Sequence, residues 1–287
     1  MYDVRKGSSS VIRPWSRDKL ELLSKYLHAY SVIMRKEKET WLRAYHYVDA
    51  FASTGQYADP DSQSYVDGSP LVALRCQPPF DEFWFVELSA SRLERLRQRV
   101  EAECPGCYSH FLQGDANAVL RDQIAPKITW PSRQRGLIFL DPYGLEVEFE
   151  TIRQLARTRT FDLFVNFSVM GIIRNLERQQ FPDEHTVQML ARVMGDAEWV
   201  RDTYATQPDL FGAEERSFRP RLGYEQVAGQ YIDGVKGLFK FVSEPVLMRN
   251  SVGAPLYVLF LASHNETAVK ITNEIFKVYE RLRARPA

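Results

Sequence analysis

Between Lys19 and Met34, Leu20, Leu23, Leu27, Tyr30 and Met34 recur at three- and four-residue intervals, which predicts an amphipathic helix. The period then changes. Short apolar runs alternate with helical stretches, and most of the runs end on an acid. Tyr45–Val48 reads as a strand ending at Asp49, and Phe83–Val86 as one ending at Glu87. Tyr108–Leu112 leads to Gly114-Asp115-Ala116-Asn117, Gly136–Leu140 ends at Asp141, and Phe161–Phe167 gives a fifth strand. Helices are expected from Ser89, as N-cap, to about Ala102, and from about Val147 to Arg157. A shorter one is expected to open with Ser69 as cap and Pro70 in the first turn. Residues 170–222 read as helical or irregular, and about 224–239 as helix. Two last strands, about 244–248 and 256–261, flank the turn-rich Arg249–Gly253, and a helix over about 266–282 closes the chain.

Five strands alternating with helices and then a hairpin predict an α/β fold, Rossmann-like, in three αβα layers. Its seven-stranded sheet is expected to be mostly parallel with one antiparallel strand. The chain divides into an N-terminal helical cap (1–40), a cofactor-binding half (41–169), a substrate-facing insertion (170–222) and a closing part (223–287). Sheets of this kind bind ligands beyond the carboxyl ends of their strands. Asp49, Glu87, Asp115 and Asp141 all stand at such ends.

Composition narrows the class. The 287 residues are 45% hydrophobic and 13% aromatic, enough for a packed core, which excludes global disorder. Lys plus Arg (37) balances Asp plus Glu (37), so contact with a polyanion would have to be local. The longest apolar stretch, Pro255–Ala262, falls far short of the roughly 20 residues that span a bilayer, and no membrane association is expected. Met1–Arg13 lacks an apolar segment for secretion, and three cysteines suit a reducing compartment, so a cytoplasmic location is expected.

Each acid has a plain alternative. Asp49-Ala50-Phe51-Ala52-Ser53-Thr54-Gly55 is a small-residue turn that lets a ligand approach backbone N–H groups, or else a simple strand–helix connection. Neither G-x-G-x-x-G nor G-x-x-x-x-G-K-[ST] occurs, which disfavours a nicotinamide or flavin site and a P-loop. Glu87 suits a ribose diol or a solvated strand end. Asp115 suits an adenine amino group or a helix cap. Asp141-Pro142-Tyr143-Gly144 offers a carboxylate, a carbonyl and a ring to hold a planar amine, and it also fits a type I turn.

With these blocks in place, the chain resembles the three-Cys-motif partner family (TcmP), a group with the class I S-adenosylmethionine-dependent methyltransferase fold. The resemblance rests on Tyr47–Gly55, Gly68–Leu74, Phe85–Leu88, Gly114–Asn117, Ile138–Val147 and Thr151-Ile152, and is firm over about 19–167. It implies the strand order 3-2-1-4-5-7-6, S-adenosyl-L-methionine as cofactor and a three-Cys-motif protein as possible partner. It also implies a cofactor site of Asp49, Phe51, Ser53, Gly55, Glu87, Leu88, Asp115 and Ala116, with Asp141, Pro142 and Tyr143 as the catalytic motif. The expected function is methyl transfer to a nucleic-acid base amine or a similar planar amine. The alternatives are a non-catalytic methyltransferase-like subunit and a metal-dependent nuclease using Asp59, Asp61, Asp141 or Glu146; no metal is otherwise expected.

Ser53 replaces the glycine usual in such turns, and the catalytic motif lacks its second proline. Gln56–Asp67 lengthens the first connection, and its acids Asp59, Asp61 and Asp67 read as a solvated loop, or otherwise as a lid or a metal site. Cys104-Pro105-Gly106-Cys107 reads as a turn with incidental cysteines. Arg92, Arg95 and Arg99 form one helix face, expected in solvent. Arg216–Arg221 interleaves positive charge with Phe218, as a strand-contacting loop would, and the aromatics of Trp199–Tyr204 read as core.

Overall fold

The computed structural model describes residues 12–59, 64–176, 181–196, 198–203 and 223–283, and the backbone of 205–208 and 215–218. In chain order the first elements are α1 (Pro14–Glu37), β1 (Ala44–Asp49), β2 (Gln56–Ala58), β3 (Tyr65–Asp67), α2 (Ser69–Leu74), β4 (Glu82–Glu87) and α3 (Ala90–Glu103). There follow β5 (Ser109–Gln113), α4 (Ala116–Val119), β6 (Gln134–Leu140), α5 (Phe149–Thr158), β7 (Phe161–Phe167), α6 (Val169–Asn175), α7 (Glu184–Met194) and α8 (Glu198–Asp202). The last are β8 (Ala205–Pro208), β9 (Glu215–Phe218), α9 (Tyr224–Lys236), β10 (Phe241–Val242), β11 (Val246–Arg249), β12 (Pro255–Ser263) and α10 (Glu266–Arg283).

The main sheet runs β5-β4-β1-β6-β7-β12, with β10 and β11 both on the outer edge of β12. Strands β5, β4, β1, β6 and β7 are parallel, and β12 is antiparallel to β7. This is the expected 3-2-1-4-5-7-6 order, with the sixth strand interrupted into two pieces. Side chains alternate across the sheet as a two-residue period requires. Leu137 and Phe139 join the core beneath α1 and α10, while Ile138 and Leu140 join the core against α5 and α9. Helix α1 buries the predicted stripe and extends it by Leu22 and Tyr26, whose ring stacks on Phe164 at 5.5 Å. Full burial of each such side chain stabilises by roughly 1.5–3 kcal/mol.

Several expectations need correction. Gln56–Asp67 is not a solvated loop: its described ends form the β2–β3 hairpin, with Asp61 outside the described residues. Asp59 is buried and pairs with Arg17 of α1 at 2.7 Å, and Asp67 pairs with Arg75 at 2.6 Å. Gly68, not Ser69, is the cap of α2. The turn after α3 brings the Cα atoms of Cys104 and Cys107 within 5.6 Å, and their sulfurs form a disulfide, so they are not incidental. Trp199 is core, as expected, while Tyr204 and Arg219–Arg221 lie outside the described residues. Among the described residues, no helix is long and apolar enough to cross a membrane.

Candidate active site at the strand tips

Strand register places Asp49 beside Phe85 on one side and Phe139 on the other, two residues before Asp141. Glu87 lies beside Gln113, two residues before Asp115. The four acids therefore share one edge, around the β1–β6 gap where the strand order reverses. Their surroundings differ sharply.

Asp49 is sealed, with 0% exposure. Tyr47 Oη donates to its Oδ2 at 3.0 Å and the Phe51 N–H to its Oδ1 at 3.2 Å. Burial pushes its carboxyl up to about 6, against the pull of hydrogen bonds from Ser69, Tyr47 and Phe51, with the Asp141 charge adding to the rise. Asp49 thus shapes the turn from within. Phe51 packs partly buried on the core.

The turn itself is tight. Ser53 has φ +53°, the left-handed region that glycine adopts without strain, so the serine noted in the sequence does carry a conformational cost. At Gly55 (φ +76°) a Cβ would stand 2.7 Å from Leu96 Cδ1, so α3 packs directly on the turn. Arg99 donates to the Thr54 carbonyl from the same helix.

Glu87 is 5% exposed and highly engaged. Its Oε1 accepts from Ser89 N at 2.8 Å and from Arg92 Nε at 2.9 Å and Nη2 at 2.5 Å. Its Oε2 accepts from Ser53 N at 3.1 Å. That last bond ties the β1 turn to the β4 tip. Arg92 and Arg99 are therefore structural partners, not a solvated face. Leu88 is exposed beyond Glu87. Asp115 takes its alternative role as well: it caps α4, with Oδ1 accepting from Ala118 N at 3.1 Å, and its side chain stays exposed beside the buried Ala116.

Asp141 has partners the sequence did not suggest. Lys19 of α1 donates to Oδ2, and Asn166 Nδ2 donates to Oδ1 at 2.7 Å. Pro142 is buried and Tyr143 exposed at the rim. Tyr57, from the hairpin, is held protonated well above the usual phenol range by burial, then by the nearby Asp141, Tyr143 and Asp49. The hairpin is fastened by Gly68 N to the Gly55 carbonyl (2.7 Å) and by the Arg17–Asp59 pair. It brings Tyr57 close to both Asp49 and Asp141. Among the described residues no group of three or more His, Cys, Asp or Glu is arranged to hold a metal ion, and Glu146 accepts from Gly144 N at 2.7 Å instead.

The buried carboxyl gives a pH prediction. Its folded-state affinity for a proton exceeds that of the unfolded chain, so its contribution to stability is full below about pH 4 and lost as pH rises through 6. His46, pushed down to about 4 by burial, acts oppositely in the same window. The difference between wild type and Asp49→Asn isolates the carboxyl. Relative to wild type, Asp49→Asn should gain up to roughly 3 kcal/mol in urea unfolding between pH 4 and 8. Parallel pH–stability curves would refute the assignment.

Strand order and helix layers together define a Rossmann-like three-layer αβα fold with a mostly parallel sheet. A solved structure described as protein LPL1258 of Legionella pneumophila, family-model DUF519, shares it over 93% of this chain and 92% of that one, at 14% identity and TM-score 0.54. Weaker likenesses include Trm1 from Pyrococcus horikoshii in complex with S-adenosyl-L-methionine (13% identity, 98% and 82% covered, TM-score 0.39). Another is an S-adenosylmethionine-dependent methyltransferase from Clostridium acetobutylicum (12% identity, 83% and 92% covered, TM-score 0.38). At such identities the likeness concerns the fold. No known family profile and no curated protein matches the chain.

Proposed function

We propose that this chain is an S-adenosyl-L-methionine-dependent methyltransferase acting on the exocyclic amine of a nucleic-acid base, akin to the three-Cys-motif partner family it resembles. The observation that carries the reading is the bond from Ser53 N to Glu87 Oε2, which fuses a glycine-like turn to a ribose-type acid, with Asp141-Pro142 on the other side of β1.

The donor set suits the cofactor. Glu87 Oε1 is crowded by three donors, whereas Oε2 accepts only the Ser53 N–H and keeps a lone pair for a further donor. Oε2 would receive a ribose hydroxyl, Asp115 and Ala116 would flank the adenine, and Leu88 would cover its face. Ser53 to Gly55 would offer backbone N–H groups, with Asp49 and Phe51 holding that turn in shape. When bound, the cofactor supplies a methyl group already activated by its sulfonium sulfur, so the chain needs orientation more than strong acid or base. Asp141 and the Pro142 carbonyl would orient the amine, and Tyr143, exposed at the rim, would stack on the base.

Tritium transfer from methyl-labelled cofactor to total RNA or single-stranded DNA tests the reading. Label in either acceptor supports it, and label in neither overturns the base-amine assignment. Cofactor binding without transfer would favour a non-catalytic subunit working with a three-Cys-motif partner in the cytoplasm. That second reading draws on the strained Ser53 and on the engagement of both Asp141 oxygens.

A further inference from the structure

Asn166, the penultimate residue of β7, interrupts the apolar Leu163–Phe167 and is 1% exposed. Its amide faces the Asp141 carboxylate, which accepts and cannot donate, so the nitrogen must point to Asp141 and Oδ1 must point away. Among the described residues, Asn166 Oδ1 is buried with no hydrogen-bond partner. Buried polar atoms are nearly always satisfied, so an orphan beside a candidate catalytic motif marks a place where a donor arrives. The room for one is present. A cavity of about 10 Å³, the size of a single water or amino group, is lined by Pro142, Gly144, Asn166, Phe167, Ser168 and Tyr231. Each Asp141 oxygen already holds one donor, Lys19 or Asn166, whereas the amide oxygen of Asn166 holds none.

We infer that Asn166 is a substrate-binding residue: its Oδ1 takes one hydrogen of the target amine, and the Pro142 carbonyl takes the other. Lys19 and Asp141 act through it as positioning residues, holding the amide in the one orientation that presents oxygen. The inference rests on the methyltransferase reading and deepens it. It replaces direct capture by Asp141 with capture by the neighbouring amide, and it excludes acceptors that lack an N–H.

Fluorescence anisotropy with single-stranded DNA tests amine recognition without the cofactor. One strand carries adenine and cytosine; in the other, purine and 2-pyrimidinone stand in their places, each lacking only the amino group. Wild-type protein should prefer the amine-bearing strand by about tenfold, the worth of one hydrogen bond. Asn166→Leu should bind both strands equally, with cofactor affinity in calorimetry unchanged. Asn166→Asp keeps the shape but sets two carboxylates side by side. They reproduce the donor–acceptor pair only while sharing a proton, so the preference should return on lowering the pH from 8 to 6 and fade on raising it. Merely structural packing would give no such profile. Equal binding by wild type, meaning that Oδ1 meets only a trapped water, overturns the inference, as does an undiminished preference in Asn166→Leu. An amine preference in a protein that takes no cofactor would uphold Asn166 and overturn the methyltransferase reading alone.

Discussion

Replacing Asp162 by alanine is expected to destabilise the protein by about 3–5 kcal/mol in urea unfolding. Asp162 is 1% exposed near the start of β7, and Arg135 at the start of β6 donates Nη2 to its Oδ1 at 3.0 Å. Ser263 adds a bond to the same oxygen at 2.6 Å and in turn accepts from Asn265 N at 2.9 Å, joining β7 to the end of β12. The guanidinium lies over the Trp130 ring, 5.4 Å from its centroid, and its Nε has no partner among the described residues. Removing the carboxylate leaves a buried cation with nothing to offset its lost hydration. The double variant Arg135→Met/Asp162→Leu removes both charges and should lose far less than either single change. A loss under about 1 kcal/mol for Asp162→Ala would show that water reaches Arg135 and that the pair is not the strut described.

The second large effect is on chemistry. Asp141→Ala should lower methyl transfer by about 100- to 1,000-fold while leaving cofactor affinity unchanged. The two functions separate because Glu87 and its Ser53 bond lie across β1 from Asp141. Loss of the carboxylate frees the Lys19 ammonium and releases Asn166 from its fixed orientation, so the acceptor is held loosely. Asp141→Asn keeps the shape without the charge and should fall between the two. Wild-type turnover in Asp141→Ala, measured as label transferred per minute, would remove Asp141 from the site.

Much of this arrangement was legible before any coordinates. Strands end where a polar residue interrupts an apolar run, so Asp49, Glu87 and Asp141 could be read as tips; the βα alternation implied a mostly parallel sheet, and the family resemblance supplied its strand order. What escaped has physical causes. Strands β2 and β3 are three residues each, too short to display a period, so the hairpin looked like loop. Lys19 reaches Asp141 from 122 positions away through the docking of α1, which periodicity cannot convey. Arg92 looked like one of several surface arginines, because its reach back to Glu87 depends on α3 starting just after the strand tip. Asn166 did leave a trace, as a lone amide near the end of Phe161–Phe167, but its partner did not. Ser53 was visible as a serine where a glycine is usual, and its positive φ is the backbone conformation a glycine would adopt there without strain.

Calorimetric titration of the intact chain with S-adenosyl-L-methionine bears most directly on the claim that the Ser53–Glu87 junction is a cofactor site. Micromolar binding is predicted for wild type, and none for a Glu87→Ala protein that still unfolds cooperatively. An absence of heat with wild type, or undiminished binding by Glu87→Ala, would contradict it.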